Sequence, residues 1–199
     1  MKPELLALLC SEAERAGGGL GPTATVEEIA RLQALTPVPL PPDLLDFYRY
    51  IGGLRGNSGL QDAVLHTPAD LLAAAALPAG QWDTLRSLGL VDMILWSWGN
   101  DRFEFDPASG EGLKQQHVDT LNANYAAFGW RVLEDGEAFE YLYFDRQGRF
   151  GRVFYHQDAF GEVVEDHLRP MLKLRPAPAD FDTTIREFMA AASGPSFPD

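Results

Sequence analysis

Cysteine and histidine are scarce in this sequence, and their scarcity argues against several kinds of site. The 199 residues include one cysteine, Cys10, and four histidines. A single cysteine cannot form an internal disulfide, which fits a reducing compartment, and no two histidines have the four-residue spacing of a helical zinc pair. His156 and Asp158 lie close together in sequence, but no third ligand is near them. We therefore predict no metal site and no cofactor.

Catalytic motifs are also missing. No G-x-S-x-G turn is present to expose a nucleophilic serine, and the glycines at 17–19 are not followed by the Lys-Ser/Thr pair of a phosphate-binding loop. Paired carboxylates are frequent, but 29 acidic residues place some pairs close together by chance. We predict no catalytic residues, and a hydrolase is the weakest of the functions considered below.

Long hydrophobic runs are absent. The longest run without a charge is Leu71–Trp82, twelve residues interrupted by Pro78, whereas a membrane-spanning helix needs about 20 apolar residues. The apolar stretch at the N-terminus is only six residues long, which is too short for a secretory signal. We therefore expect a cytoplasmic protein that does not bind membranes.

Basic residues are outnumbered, and the excess of acid is uneven. The chain has 16 Lys and Arg against 29 Asp and Glu, a net charge of −13. Residues 61–166 alone hold 18 acidic and 7 basic side chains. This charge repels phosphate backbones and anionic lipid, so direct nucleic-acid binding is not expected. It attracts a basic protein, although acidic residues also serve simply to keep a protein soluble.

Signals for helix starts dominate the first 80 residues. Thr25 and Glu28 form a capping box, and a second helix start is indicated where Thr67 precedes Pro68. The segment 40–53 begins with prolines, which suit a first helical turn, and ends with glycines, which suit a left-handed stop. The predicted helices lie within 1–20, at 26–35, at 41–51 and from 67 to about 77.

From residue 93 the hydrophobic period changes from 3.6 to 2, which indicates strands. Asp135-Gly136 is a hairpin signal between two of them. The predicted strands are 93–98, 102–106, 128–133, 138–144 and 149–156. Helical patterns return at 161–169 and 182–192.

These patterns predict an α+β fold in a single domain. We expect a twisted, mainly antiparallel sheet of about five or six strands, formed by residues 93–156 and packed against helices that cover one face. Residues 1–24 are predicted to be an N-terminal helical extension with a glycine-rich joint, residues 25–192 the domain, and residues 193–199 a C-terminal tail.

The aromatic and basic residues of the predicted sheet each have two interpretations. The aromatic residues could form a ligand-stacking platform, but their alternation with charged residues favours a sheet core. Similarly, the arginines could form a basic face, but the interleaved carboxylates favour cross-strand pairing. The arginines are Arg131, Arg146, Arg149 and Arg152, and the carboxylates are Glu134, Asp135, Glu137 and Glu140.

Three segments together resemble one family. They are LPPDLLDFYRYIGG (40–53), LWSWGNDRFEFDP (95–107) and YLYFDRQGRFGRVFYHQD (141–158), followed by a terminal helix. This pattern resembles the SUKH superfamily of the Smi/Knr type over about residues 25–192, with Ile51 standing where the family has asparagine. The resemblance implies an α+β protein-binding module without catalytic residues. Many bacterial members are immunity proteins that neutralise toxins, often nucleases or deaminases, and others are adaptors.

Two functions follow as predictions. The first is an immunity protein that binds a cognate, basic toxin, and the alternative is a cytoplasmic regulatory adaptor or scaffold with no toxin partner. An acidic surface complements a toxin that handles nucleic acid, because such a toxin is basic around its substrate. The predicted partner-binding residues come from the acidic region: Asp101, Glu104 and Asp106 first, then Asp135 and Glu137.

Overall fold

A computed structural model of the chain describes residues 2–15, 19–55, 63–77, 85–98, 113–133, 138–156 and 163–191. The helices are α1 (Pro3–Arg15), α2 (Val26–Leu35), α3 (Pro42–Tyr50), α4 (Pro68–Ala75), α5 (Leu90–Trp98), α6 (Gln115–Asn124), a π-helix (Val163–Leu168), α7 (Arg169–Met171) and α8 (Phe181–Ala191). The strands are β1 (Gly19–Leu20), β2 (Leu54–Arg55), β3 (Ala63–Leu65), β4 (Tyr125–Val132), β5 (Ala138–Asp145) and β6 (Phe150–His156).

The strands form one sheet in the order β1 to β6, and every neighbouring pair is antiparallel. The predicted α+β class, antiparallel sheet and strand number are therefore confirmed. Their placement was partly wrong, because β1, β2 and β3 precede residue 93. These strands have only two or three residues, too few to show an alternating pattern in the sequence.

The helix starts that were predicted from capping signals are confirmed. Thr25 and Glu28 form the reciprocal capping box of α2. At the start of α4, the Thr67 side chain accepts a hydrogen bond from the amide of Asp70. At the end of α3, Gly52 has a φ of 81°, and a β-carbon there would collide with the backbone of Pro22. Local chemistry therefore determines where these helices begin and end.

The segment 93–98, predicted as a buried strand, is instead the end of helix α5. Short apolar runs do not distinguish a buried strand from a buried helix. A residue that is distant in sequence caps the start of this helix. The Asn122 side chain of α6 accepts hydrogen bonds from the amide of Val91 at 2.8 Å and from the amide of Asp92 at 3.3 Å. These hydrogen bonds satisfy backbone N–H groups of the first turn, which have no acceptor within the helix. The other predicted strand of this region, 102–106, lies outside the described residues.

Helices cover both faces of the sheet, so the expectation of one covered face was wrong. On one face, Phe181 of α8 packs its ring 6.1 Å from Phe128 and 5.1 Å from Phe150. On the other, Ser97 of α5 lies 2.9 Å from the Tyr141 hydroxyl. Residues on either side of a strand are buried as a result.

Tyr48 of α3 gives the first testable prediction. Its side chain is fully buried, its hydroxyl has no hydrogen-bond partner within the described ranges, and burial raises its pKa. Tyr48→Phe should leave the free energy of unfolding unchanged or raise it by about 1 kcal/mol, since it removes an unsatisfied group. The matched control is Tyr125→Phe, which removes a hydroxyl bonded to the Met171 carbonyl at 3.0 Å. Urea denaturation of both variants checks this, and a loss of stability only in Tyr48→Phe would contradict it.

Candidate functional site

The predicted partner-binding residues lie outside the described part of the chain. They are Asp101, Glu104, Asp106, Asp135 and Glu137. The residues on either side of them are described, so the structure shows where the chain leaves and rejoins the fold near each group.

Strand ends meet at one end of the sheet, which we call the Val132 end. Ala63 begins β3 opposite Arg131 of β4, and Ala138 begins β5 opposite His156, the last residue of β6. Antiparallel pairing therefore places the end of β4 beside the start of β5 and the end of β6. The connections 56–62, 134–137 and 157–162 all start from this end.

The connection 99–112 starts from the same end, because of how α5 lies. The start of α5 is at the opposite end of β4, where Leu88 accepts the amide of Ala127 and Gly89 bridges Ala126. Its last turn reaches Tyr141, the partner of Trp130 in the sheet. Asn122, near the end of α6, contacts the start of α5. Both predicted acidic groups thus belong to connections that begin at the Val132 end.

The negative charge of the protein is concentrated in these connections. The described ranges contain 17 acidic and 15 basic residues, which leaves 12 acidic residues and one basic residue of the 29 and 16 in the chain. The four connections at the Val132 end hold ten of those acidic residues, together with Arg102. The described fold is nearly neutral, whereas these connections carry a net charge of −9.

A buried ionic network underlies the Val132 end. Glu140 of β5 forms an ion pair with Arg131, its cross-strand neighbour, and accepts a hydrogen bond of 2.8 Å from Arg152 of β6. Arg152 also donates to Glu187 of α8 at 2.9 Å, and Arg131 donates to the Phe188 carbonyl at 2.8 Å. The predicted cross-strand pairing is confirmed for Arg131 and Arg152 with Glu140.

The remaining members of the predicted pairing have other surroundings. Arg146 donates to the Ala123 carbonyl at 2.9 Å, and Arg149 donates to the carbonyls of Ala177 and Pro178. Both arginines therefore bind backbone carbonyls of other segments, and their pairing with the hairpin carboxylates stays a prediction. Glu134, Asp135 and Glu137 lie outside the described residues.

Desolvation acts against both charges of the central pair. Burial raises the pKa of the Glu140 carboxyl, a shift that both guanidiniums oppose, and burial lowers the pKa of Arg131, which the carboxylate opposes. The Arg131 guanidinium also lies 4.8 Å from the centre of the Phe188 ring. Arg131 and Arg152 each bind α8 as well as Glu140, so the network holds α8 against the sheet.

Aromatic side chains occupy the opposite face of the sheet near this end. The His66 ring lies 5.2 Å from Trp96 and 6.5 Å from Trp130, and Trp130 lies 6.1 Å from Phe139. Tyr141 is fully buried and the tryptophans are half-buried, as expected for a sheet core. His66 was not predicted to join this cluster, because its sequence neighbours give no sign of contact with α5.

Neither a metal centre nor a membrane span is found in the described ranges. No group of three or more His, Cys, Asp or Glu side chains there is arranged to hold a metal ion. Within the same ranges, none of the helices combines the length and apolar character needed to cross a bilayer.

No protein-family model, curated protein or solved structure matches this chain. Function therefore has to be argued from the chain's own charges and contacts. The described residues are nearly neutral, whereas most of the negative charge belongs to connections that start from one end of the sheet.

Proposed function

We propose that this protein is a cytoplasmic immunity protein of the SUKH type, which neutralises a cognate toxin by binding it directly. The toxin is a basic protein of the nuclease or deaminase class. The observation that supports the proposal is the net charge of −9 in four connections that start from one end of the sheet. Acidic residues that only keep a protein soluble are expected to be distributed over the whole chain, not confined to four such connections.

The physical argument concerns the active site of such a toxin. An enzyme that acts on nucleic acid carries lysines and arginines around its substrate site, because phosphate contacts dominate affinity. A protein that presents carboxylates on one end is attracted to that site and competes with the substrate. Electrostatic complementarity of this kind raises the association rate and excludes wrong partners.

The described residues support binding rather than catalysis as the role of this end. Arg131, Glu140 and Arg152 are engaged with one another and with α8. An inhibitor needs a rigid base of this sort, since a preorganised surface loses less conformational entropy when it binds. The fold supplies the base, and the acidic connections supply the charge.

Charge reversal tests the proposal. The triple variant Asp101→Lys, Glu104→Lys, Asp106→Lys should slow association with the cognate toxin, which is sought among the products of neighbouring genes, by about tenfold at low salt, because it removes long-range attraction. It should also flatten the dependence of that rate on ionic strength. Stopped-flow binding at two salt concentrations measures both effects, and growth of cells that express the toxin reports neutralisation.

The matched control changes net charge equally but on α1, α2 and α3. It is Glu4→Lys, Glu27→Lys, Asp43→Lys, three exposed positions. Equal slowing by both variants would assign the effect to total charge and contradict the site. An unchanged rate, an unchanged salt dependence and full growth rescue by the first variant would also contradict it. Failure of the wild-type protein to bind the neighbouring toxin would favour the adaptor function instead.

A further inference from the structure

Strand β6 forms one edge of the sheet, and its pairing shows which backbone groups point outward. Phe150 exchanges two hydrogen bonds with Ala179, at 2.9 and 3.0 Å, on the side away from β5. Arg149, the residue before it, accepts the amide of Asp145 on the side facing β5. Successive residues of a strand alternate in this respect, so the N–H and C=O groups of Arg152 and Phe154 also point away from β5.

These outward groups have no backbone partner within the described ranges. Among the described residues Ala179 bridges Phe150 alone, and helix α8 begins two residues later. The edge beyond Phe150 is left with a donor and an acceptor on each of Arg152 and Phe154. An edge with such unpaired groups accepts an added strand.

Two usual protections of an edge strand, a proline and a bulge, are missing from this stretch, although the π-helix packs beside it. Between Phe150 and His156 there is no proline, and the register with β5 continues without a bulge. Arg152 does not shield the edge either, because its guanidinium is held inward by Glu140 and Glu187. The Phe154 side chain is 38% exposed, and its ring lies 6.3 Å from that of His167 on the π-helix and 5.5 Å from the Arg152 guanidinium. By contrast, β1 at the other edge is only two residues long.

The geometry points to β6 as a docking edge for an extended segment of a basic partner protein, which pairs as a seventh strand with Arg152 and Phe154. Charge selects this occupant. Exposed carboxylates lie on the elements packed next to β6: Asp166 and Glu165 on the π-helix and Glu187 on α8, of which Glu165 pairs with Arg169 and Glu187 with Arg152. A second copy of the chain carries the same charge of −13 and is repelled. Only the basic character of the partner rests on the proposed function.

Peptide selection tests this docking without any toxin. A phage-displayed library of linear twelve-residue peptides is selected on the full-length protein, and bound clones are remeasured on two variants. Phe154→Pro removes one outward N–H but no bond to β5, so the strand tolerates it as an edge position. Phe154→Ala removes the ring and keeps the N–H. Denaturation curves establish that both variants are folded.

The expected result is enrichment of peptides that alternate apolar residues with Lys or Arg. The affinity of these peptides should fall at least tenfold on Phe154→Pro and less on Phe154→Ala, because backbone pairing provides most of the binding.

Amide hydrogen exchange tests the same edge in the wild-type protein, without any variant. The amides of Arg152 and Phe154 should exchange about a hundredfold faster than those of Gly151 and Val153 in the free protein, and should slow when a selected peptide is bound.

Several results would overturn the docking edge. These are no enrichment, equal binding to Phe154→Pro, peptides without basic residues, or protected amides at Arg152 and Phe154 in the free monomer. Protection that appears only as protein concentration rises would identify a second copy as the occupant and would also overturn it. None of these results bears on toxin neutralisation, which the charge-reversal variants test separately.

Discussion

Replacing Glu140 by alanine is expected to lower the free energy of unfolding by about 3–5 kcal/mol. Glu140 is completely buried between Arg131 and Arg152, and Arg131 is only 2% exposed. Removing the carboxylate leaves the guanidinium of Arg131 in the protein interior with no opposite charge. That penalty exceeds the net value of the ion pair itself, because desolvation of the remaining charge is not compensated.

Two comparisons isolate the buried charge as the cause. Glu187→Ala removes the exposed member of the same network and should cost less than about 1 kcal/mol, as expected for a surface pair. The double variant Arg131→Met, Glu140→Leu should recover most of the stability lost in Glu140→Ala, since it removes both charges together. Guanidinium denaturation measures all three. Similar small losses for Glu140→Ala and Glu187→Ala would contradict the structural role assigned to this network.

Asp145→Ala is expected to lower the free energy of unfolding by about 2–4 kcal/mol. One carboxylate oxygen of Asp145 accepts the amides of Gln147 and Arg149, at 2.8 and 3.0 Å, within the turn that joins β5 to β6. The other oxygen accepts the amide of Ala177 at 2.6 Å and so attaches the segment before α8 to the sheet. Alanine leaves these donors without their acceptor, and the Ala177 bond is buried.

Asp145→Asn separates the two attachments. Its amide oxygen can still accept the two turn amides, but its NH₂ group then faces the Ala177 amide, donor against donor. We expect an intermediate loss of stability, with faster hydrogen exchange at Ala177 than at Arg149. Thermal unfolding together with exchange measured by NMR checks this. Equal exchange at both amides would show that Asp145 does not act as the link between the turn and α8.

The candidate site was predictable in its charge but not in its assembly. Residues 61–166 already show the acidic excess in the sequence, and Asp101 and Asp135 belong to it. Their connections start from the same end only because the strands pair in the order β3 to β6 and because α5 extends from Ala126 toward Tyr141. The backbone groups of β6 that point away from β5 likewise could not be predicted, since the edge strand of a sheet cannot be identified before the strand order is known.

The features that the sequence determined by itself arise from interactions between residues a few positions apart. The capping box at Thr25 and Glu28, the proline starts of α3 and α4 and the left-handed Gly52 involve groups that are neighbours in the chain. The alternating patterns of β4, β5 and β6 are local for the same reason, because successive side chains of a strand point to opposite faces. Each of these elements could therefore be predicted without knowing what it packs against.

Tertiary structure decided what depends on distant partners. Segment 93–98 is helical because Asn122 caps α5 from 30 and 31 residues away. Arg131 was expected to pair across the strands, but its burial depends on tertiary contacts, because Glu140 neutralises it and the Phe188 carbonyl, 57 residues on, accepts its hydrogen bond. Sequence patterns show which residues an element contains. The free energy of burying a charge is set by the groups that surround that charge after folding.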